Sequence, residues 1–554
     1  MSGANRAAAG IGISRSFGLV REALIGATLG AGPAADAFRT AMKVPNIVQN
    51  LLGEGSLSAS FVPVYARLIE ERNEVEARRV AGGVLGLLTA AIMLIVAIMV
   101  LAAGPVISIT APGLTPEVHD QAVWLTRITA PGIGLLGISA WCLGILNAHR
   151  QYFLSYVAPA LWNLAQIVML TGVVLAATLF GTNPTPERIT TLLAIAVGIG
   201  SVLQLGVQIP RVRVLTHGVT PHLHRGGRVG IVLKRFAPAL GARGVVQLSS
   251  YIDLTLASFL ATSSIASLAL IMPLYLLPIS LFGFAIATAE LTEMSRQSDR
   301  AATVALRLEV GLRKIVLPAG LVLAVFTAAA RPVITTMYQW LSEVVGKSPI
   351  SDDRVDVMAM VLFVFALALP ATMSARVTQN ALYALGDVRR PAQIAIVRLV
   401  VLTMVTIVVM FQFDRLIASG GSISGWSDLP AGLWSPLPKE VRADTSIARL
   451  GAVGIAFGAA VASIVEWFLL RRALEKRVGR HVSSGLAFPV AAASLGTAVS
   501  LWLLQVILPI GAPIQGIVIG IAAIAVYIGL LRFQGLRPRA TGDARAQRGA
   551  TGSD

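Results

Sequence analysis

The run VAGGVLGLLTAAIMLIVAIMVLAAGPVISI passes from Val80 to Ile109 without one charged side chain. Crossing about 30 Å of hydrocarbon takes roughly 20 apolar residues in a helix, so this run predicts a transmembrane span. Comparable runs follow at Val123–Ala148, Phe153–Phe180, Ile189–Ile209, Ile231–Ala261, Ile265–Ala289, Ile315–Thr335, Val355–Leu385, Ile394–Phe413, Leu450–Leu470, Ser484–Leu508 and Ile514–Leu531. Two weaker candidates precede it, Ala8–Leu29 and Ala34–Ile69, the second interrupted by charges and by Pro45, Gly53, Gly55 and Pro63. The set predicts an all-α integral membrane protein of about fourteen transmembrane helices.

Composition agrees. Of 554 residues, 55% are apolar and only 13% charged, and the mean hydropathy is +0.75. Several soluble domains would carry about a quarter charged residues. The single cysteine, Cys142, excludes an intrachain disulfide framework and any Cys-based zinc or iron–sulfur site. The net charge of +17 is spread between apolar runs, which marks membrane-face anchors and not a nucleic-acid surface.

Arg15, Arg21 and Glu22 break any signal-peptide core in the first candidate, and no A-x-A site follows, so it stays as a helix. Numbered in order, the even breaks hold Arg67, Arg72, Arg78, Arg79, Arg150, Arg211, Arg213, Arg225, Arg228, Arg296, Arg300, Arg389, Arg390, Arg471, Arg472 and Arg480. The odd breaks are short and poor in Lys/Arg, apart from 339–354 and a long 414–449 segment. That bias puts the even side and both termini in the cytoplasm. The 414–449 segment reads as an external loop with an interfacial patch at Trp426 and Trp434. The 534–554 tail reads as a disordered basic cytoplasmic tail that touches anionic lipid.

A charge inside a span is costly and usually faces a cavity or a partner. Arg15 and Glu22 share a face of the first helix, with Arg21 about 120° away. Asp36, Arg39 and Lys43 form one stripe on the second, followed by Glu54 between two glycines. Later spans add Arg243, Asp253, Glu290, Glu293, Arg376 and Glu466. The cations predict a water-filled cavity for an anionic group such as phosphate, which arginine forks and lysine point charges suit. The competing reading is snorkelling and internal salt bridges. Salt bridging is favoured for Glu290, Glu293 and Glu466, which have Arg296, Arg471 or Arg472 within two turns. Pro131, Pro159, Pro273, Pro278 and Pro370 kink or pack. His217, His222 and His224 read as a solvated basic loop and not a metal site.

Ordered strings along the chain resemble the MurJ/MviN family of lipid II flippases in the MOP exporter superfamily. They are SRSFGLVREALIGATLGAGPAADAF (14–38), KVPN (43–46), GEGSLSASFVPVY (53–65), APGLTPE (111–117), LNAHRQYFLSYVAPALWN (146–163), LASFL (256–260), LPISLFGFAIAT (277–288) and NALYALGDVRRP (380–391). The resemblance implies two six-helix lobes around a central cavity, at 1–215 and 230–480. Between them lies a basic cytoplasmic loop, 216–229, and two C-terminal helices at 481–533 form a lipid groove. It implies alternating access that carries an undecaprenyl-diphosphate-linked precursor to the outer leaflet. Arg15, Arg21, Asp36 and Glu54 match the family's first-helix arginines, second-helix acid and A-E-G glutamate. Two family arginines are missing: Gln49 and Asn50 stand at one position, and Ile271, Met272 and Pro273 replace an A-D-R element. Arg39 and Arg243 stand where the family usually has apolar or small residues, and are expected to restore the lost charge.

The expected function is lipid II translocation, with Arg15, Arg21, Arg39, Lys43, Arg243 and Arg376 binding substrate. Asp36, Glu54 and Asp253 are the cavity acids or ion-coupling candidates. No covalent chemistry, metal or cofactor is expected, and without a GxxxxGK[ST] element the drive is an ion gradient or the membrane potential. Membrane lipids and cell-wall synthesis proteins are the other candidate partners. The alternatives are export of another polyprenyl-linked glycan or a drug, a membrane glycosyltransferase, or a scaffold. The glycosyltransferase lacks grouped acids in its external loops beyond Asp352, Asp353 and Asp356.

Overall fold

The computed structural model describes residues 3–52, 57, 60–182, 184–295, 301–387, 389–425, 434–479, 485–507 and 512–534. Glu54, Arg296, Arg300, Trp426, Arg480 and the tail beyond 534 lie outside them. The helices are α1 Gly3–Leu29, α2 Pro33–Leu52, α3 Val62–Glu70, α4 Glu74–Leu101, α5 Ala103–Thr110, α6 Pro116–Ala148, α7 Tyr152–Phe180, α8 Pro186–Leu215, α9 Gly227–Ser258 and α10 Ser264–Pro278. Then come α11 Ala285–Ser295, α12 Ala301–Ala328, α13 Ala330–Ile334, α14 Trp340–Val344, α15 Asp352–Ala384, α16 Arg389–Phe413, α17 Lys439–Ala443, α18 Gly451–Val478, α19 Ala487–Ile507 and α20 Ala512–Phe533.

Among the described residues, ten helices are long and apolar enough to cross a membrane. Four more of 20 residues or longer, α1, α2, α9 and α20, complete the expected fourteen. Side chains such as Leu101, Phe180 and Phe533 stay exposed, as a surface facing lipid allows. This is a multi-pass membrane protein. The described residues of the interrupted run Ala34–Ile69 include the helices α2 and α3.

Local chemistry sets the ends and bends. The Asn73 side chain caps α4 by accepting the Glu76 N–H at 3.2 Å. Pro116 and Pro186 open α6 and α8, where the missing N–H costs nothing. Pro278 ends α10, and a π-helical turn at Ile279–Phe284 follows, the adjustment that frees a helix from the proline's absent donor. The 414–449 segment holds a small antiparallel sheet in the order β2 Ser422–Ser424, β1 Ile417–Ser419, β3 Ala448–Arg449.

The chain divides into two compact units. The first comprises Met1–Pro273, Met337–Val357 and Thr403–Ile455. Its core gathers α3, α4 and α6, with Phe61 and Tyr65 stacked at 5.3 Å beside Trp141 and Ile145. Tyr65 Oη meets His149 Nε2 at 3.2 Å where α6 ends. Past the end of α16, both Asp414 carboxylate oxygens accept the Ala261 N–H at 3.2 Å. The buried Arg442 donates to the carbonyls of Leu437, Gly113 and Ser258, which fastens its segment down. The loop after α8 forms a strap over α4: the His222 N–H donates to the Gly82 carbonyl at 3.2 Å. The strap runs so close that a Cβ on Gly86 would collide with the His222 backbone. The loop is mostly exposed, as read, with His224 and Arg225 at the surface and His217 in an exposed pair 3.8 Å from Glu74; His222 alone of its histidines is half-buried, where the strap meets α4.

The second unit comprises Leu274–Thr336, Met358–Leu402 and Ala456–Asp554. Tyr527 Oη donates to the Leu317 carbonyl at 2.8 Å and Ser494 Oγ to that of Gly320 at 2.9 Å, tying α20 and α19 to α12. Glu290 pairs with Lys314 at 2.6 Å and Glu466 with Arg398 at 3.2 Å. Both acids are paired as expected, but with cations on neighbouring helices. Counting along one helix cannot see partners across a packing interface, and Arg471 turns to Glu475 instead.

Candidate functional site

The charges of α1 and α2 meet. Glu22 is buried, at 7% exposure, and its carboxylate receives two guanidinium groups. Arg21 Nη2 donates to Glu22 Oε1, and Arg39 Nη2 donates to Oε2 at 2.6 Å. Both arginine side chains are 15% exposed. Two cations share one anion, so the cluster keeps a net positive charge while neither guanidinium is left bare, the condition under which charge survives burial. The Arg21 guanidinium also lies over the Trp162 ring of α7, 4.7 Å from its centroid. Its Nε has no partner among the described residues, nor has the buried Thr40 hydroxyl beside Arg39.

The other predicted residues take distinct places. Lys43, half-buried one turn beyond Arg39, lies within electrostatic range of Asp253 on α9. Arg15 is exposed on α1, a turn and a half before Arg21. Arg243 belongs to α9 by its backbone, and its side chain lies outside the described residues, as does the whole of Glu54. Arg376, on α15 of the second unit, sits over Phe284 of the π turn at 5.6 Å, its Nε without a partner among the described residues. Asp36 is buried and faces α10: its two oxygens accept the N–H groups of Ser263 and Ala266, each at 2.6 Å. That is a helix N-cap supplied from a distant part of the chain.

Trp162 and Tyr338 were not singled out from sequence, and Glu22 was read only as sharing a helix face with Arg15. Tyr338 packs on Gly26 of α1 and donates to the Leu270 carbonyl at 2.7 Å. Chemically the arrangement suits binding an anion. It offers clustered guanidinium donors, with no group of three His, Cys, Asp or Glu able to hold a metal among the described residues.

The lipid II flippase MurJ family model matches residues 25–448. The chain belongs to the MurJ family. A probable lipid II flippase MurJ of Rhizobium tropici is 28% identical over 435 residues, 74% of this chain and 76% of the relative. The lipid II flippase MurJ of Burkholderia cenocepacia is 30% identical over 400 residues, 70% and 74% of the two chains. The fold is that of a solved lipid II flippase MurJ in an inward closed conformation. The TM-score is 0.71 at 18% identity, with 96% of this chain and 99% of that one covered. It is also that of an inward-facing multidrug resistance MATE family transporter of the MOP superfamily, with TM-score 0.62 at 14% identity, covering 84% and 94%. Arg39, Lys43, Arg243 and Arg376 fall inside the MurJ match; Arg15, Arg21 and Glu22 lie just before it.

Proposed function

We propose that this chain is a flippase that carries lipid II from the cytoplasmic to the outer leaflet, with its diphosphate held by cations of a central cavity. The observation that carries the reading is the Arg21–Glu22–Arg39 cluster, net positive and buried on two charged helices of a MurJ-family chain. Guanidinium groups match phosphate oxygens in geometry and stay charged when desolvated. Arg15, Lys43, Arg243 and Arg376 add cations along the path, while Asp36, Glu54 and Asp253 balance them or couple an ion. Arg39 and Arg243 supply charge that the family places at the positions of Gln49 and Pro273.

Two six-helix lobes, 1–215 and 230–480, rock about the cavity in alternating access, driven by an ion gradient or the membrane potential. Both termini face the cytoplasm, and cell-wall synthesis proteins are its partners. An apolar cleft supports a resting place for part of the polyprenyl tail. A cleft of about 320 Å³ in the second unit is lined mainly by apolar side chains of α12, α15, α18 and α19, with Arg471 among them.

Replacing a bacterium's own lipid II flippase with this protein tests the reading. Labelled lipid II is expected to reach the outer leaflet. Normal membrane levels without transport would reject it in favour of another polyprenyl-linked glycan, the reading that the missing arginines at Gln49 and Pro273 favour.

A further inference from the structure

We propose that Trp162 is the positioning residue of Arg21: its indole face is a shelf that holds the guanidinium flat with an edge turned away from Glu22. The inference rests on the cluster's reading as a diphosphate site and adds a residue that touches no substrate.

An arginine next to a buried carboxylate has a competing arrangement in which both of its forks turn to the carboxylate and its charge is spent there. The bond between Arg21 and Glu22 uses one nitrogen of five N–H donors. Arg39 occupies the other carboxylate oxygen. What keeps Arg21 from closing on Glu22 is the ring beneath it, since a guanidinium over an indole gains attraction along the ring normal and loses it on tilting.

The shelf itself is braced. A Cβ on Gly200 of α8 would stand 2.9 Å from the Trp162 Cα and carbonyl oxygen, so α8 presses directly on the Trp162 backbone. The neighbouring Asn163 amide donates to the Ser14 carbonyl at 3.4 Å, linking α7 to α1 two turns before Arg21. Gln166 Nε2 donates back to the Trp162 carbonyl at 3.2 Å. Trp162 Nε1 is buried without a partner among the described residues. The indole is thus kept for its face, not for a hydrogen bond. A leucine would fill most of the space and offer no π surface.

The test uses the full chain, purified and reconstituted, with lipid II and inorganic pyrophosphate as separate probes. Trp162→Leu is expected to weaken lipid II binding about tenfold and Trp162→Phe no more than about threefold, because phenylalanine keeps a weaker face. Site-directed incorporation of tryptophan with none, one or two ring fluorines at 162 leaves shape nearly unchanged while draining the ring face. Log Kd is expected to rise in equal steps with fluorine number. A flat fluorine series, or a phenylalanine variant as damaged as leucine, overturns the proposal, and the fluorine series decides even if Trp162→Leu fails to fold. If the unmodified protein binds pyrophosphate but not lipid II, the flippase reading falls and the fluorine slope on pyrophosphate still judges Trp162. If it binds neither, both fall.

Discussion

Arg39 reaches back from α2 to Glu22 on α1 at 2.6 Å, across seventeen positions of sequence and the Gly30 turn. Glu22 is thereby the common anion of two guanidinium groups, and the first two helices are joined at the level of their charges.

Removing the anion is therefore expected to cost more than removing either cation. Glu22→Ala leaves Arg21 and Arg39 unpaired in a buried setting, a loss of about 3–5 kcal/mol. Arg39→Ala leaves one intact pair and loses less. Thermal unfolding of the purified variants reads the order directly, and equal effects would contradict the shared-anion description.

Arg21→Ala is expected to abolish lipid II transport with membrane levels unchanged, and Arg243→Ala to reduce it clearly. Quantifying outer-leaflet lipid II alongside protein in the membrane checks both. Wild-type transport in Arg243→Ala would discard its role as a replacement cation.

Asp36→Ala removes the cap of α10 and is expected to destabilise by about 1–2 kcal/mol, the usual cost of a lost N-cap. Hydrogen exchange at Ser264–Ser267 should rise in this variant, and to a smaller degree in Asp36→Asn, which keeps one acceptor oxygen. Unchanged exchange there would mean that Asp36 serves something other than the cap.

Gly86→Leu puts side-chain atoms where the His222 backbone lies. The strap is expected to lift, and limited proteolysis of the purified protein should then cut between Thr216 and Gly226. Gly104→Leu, at a glycine of α5 with open space around it, is the control and should leave the protease pattern as in wild type.

Asp414 lies past the end of α16 and is fully buried. Burial pushes its carboxyl from 3.8 up to about 6, against the opposing pull of the Ala261 N–H, Arg449 and Arg442. The folded chain thus holds this proton over a window in which the unfolded chain has lost it. The sign follows: this site's contribution to stability is full below pH 3.8, declines as pH rises toward 6 and is constant above, a span on the order of 3 kcal/mol. Hydrogen exchange at Ala261, followed from pH 4 to 7, should show protection falling with pH beyond the chemical rate. Asp414→Asn should flatten it.

The spans were legible because a helix in lipid leaves a long uncharged run, and Val80–Ile109 could be read alone. The cations were legible too, since Arg21, Arg39 and Lys43 are conspicuous among apolar neighbours. Their partners were not. A helical wheel separates residues 21 and 22 by about 100°, yet the long Arg21 side chain curls back to its neighbour. Asp36 finds its donors more than two hundred residues away. Trp162 sits in an apolar string whose pattern speaks only of packing, and nothing local marks the guanidinium above it. Glu290 and Glu466 looked along their own helices for cations that in fact come from α12 and α16.

The distribution of charge over the helices also bears on how the chain is made. The helices α1 and α2, which precede the other described helices, are poor at entering a bilayer unaided, because their charges have no partners until both are present. The next long helix, Glu74–Leu101, has the highest hydropathy of the ten membrane-length helices among the described residues, 3.0, and in the proposed orientation Arg78 and Arg79 mark its cytoplasmic start. Insertion is then expected to take its direction from this helix. The Glu22 cluster is expected to let α1 and α2 enter the membrane as a hairpin, its charges already matched.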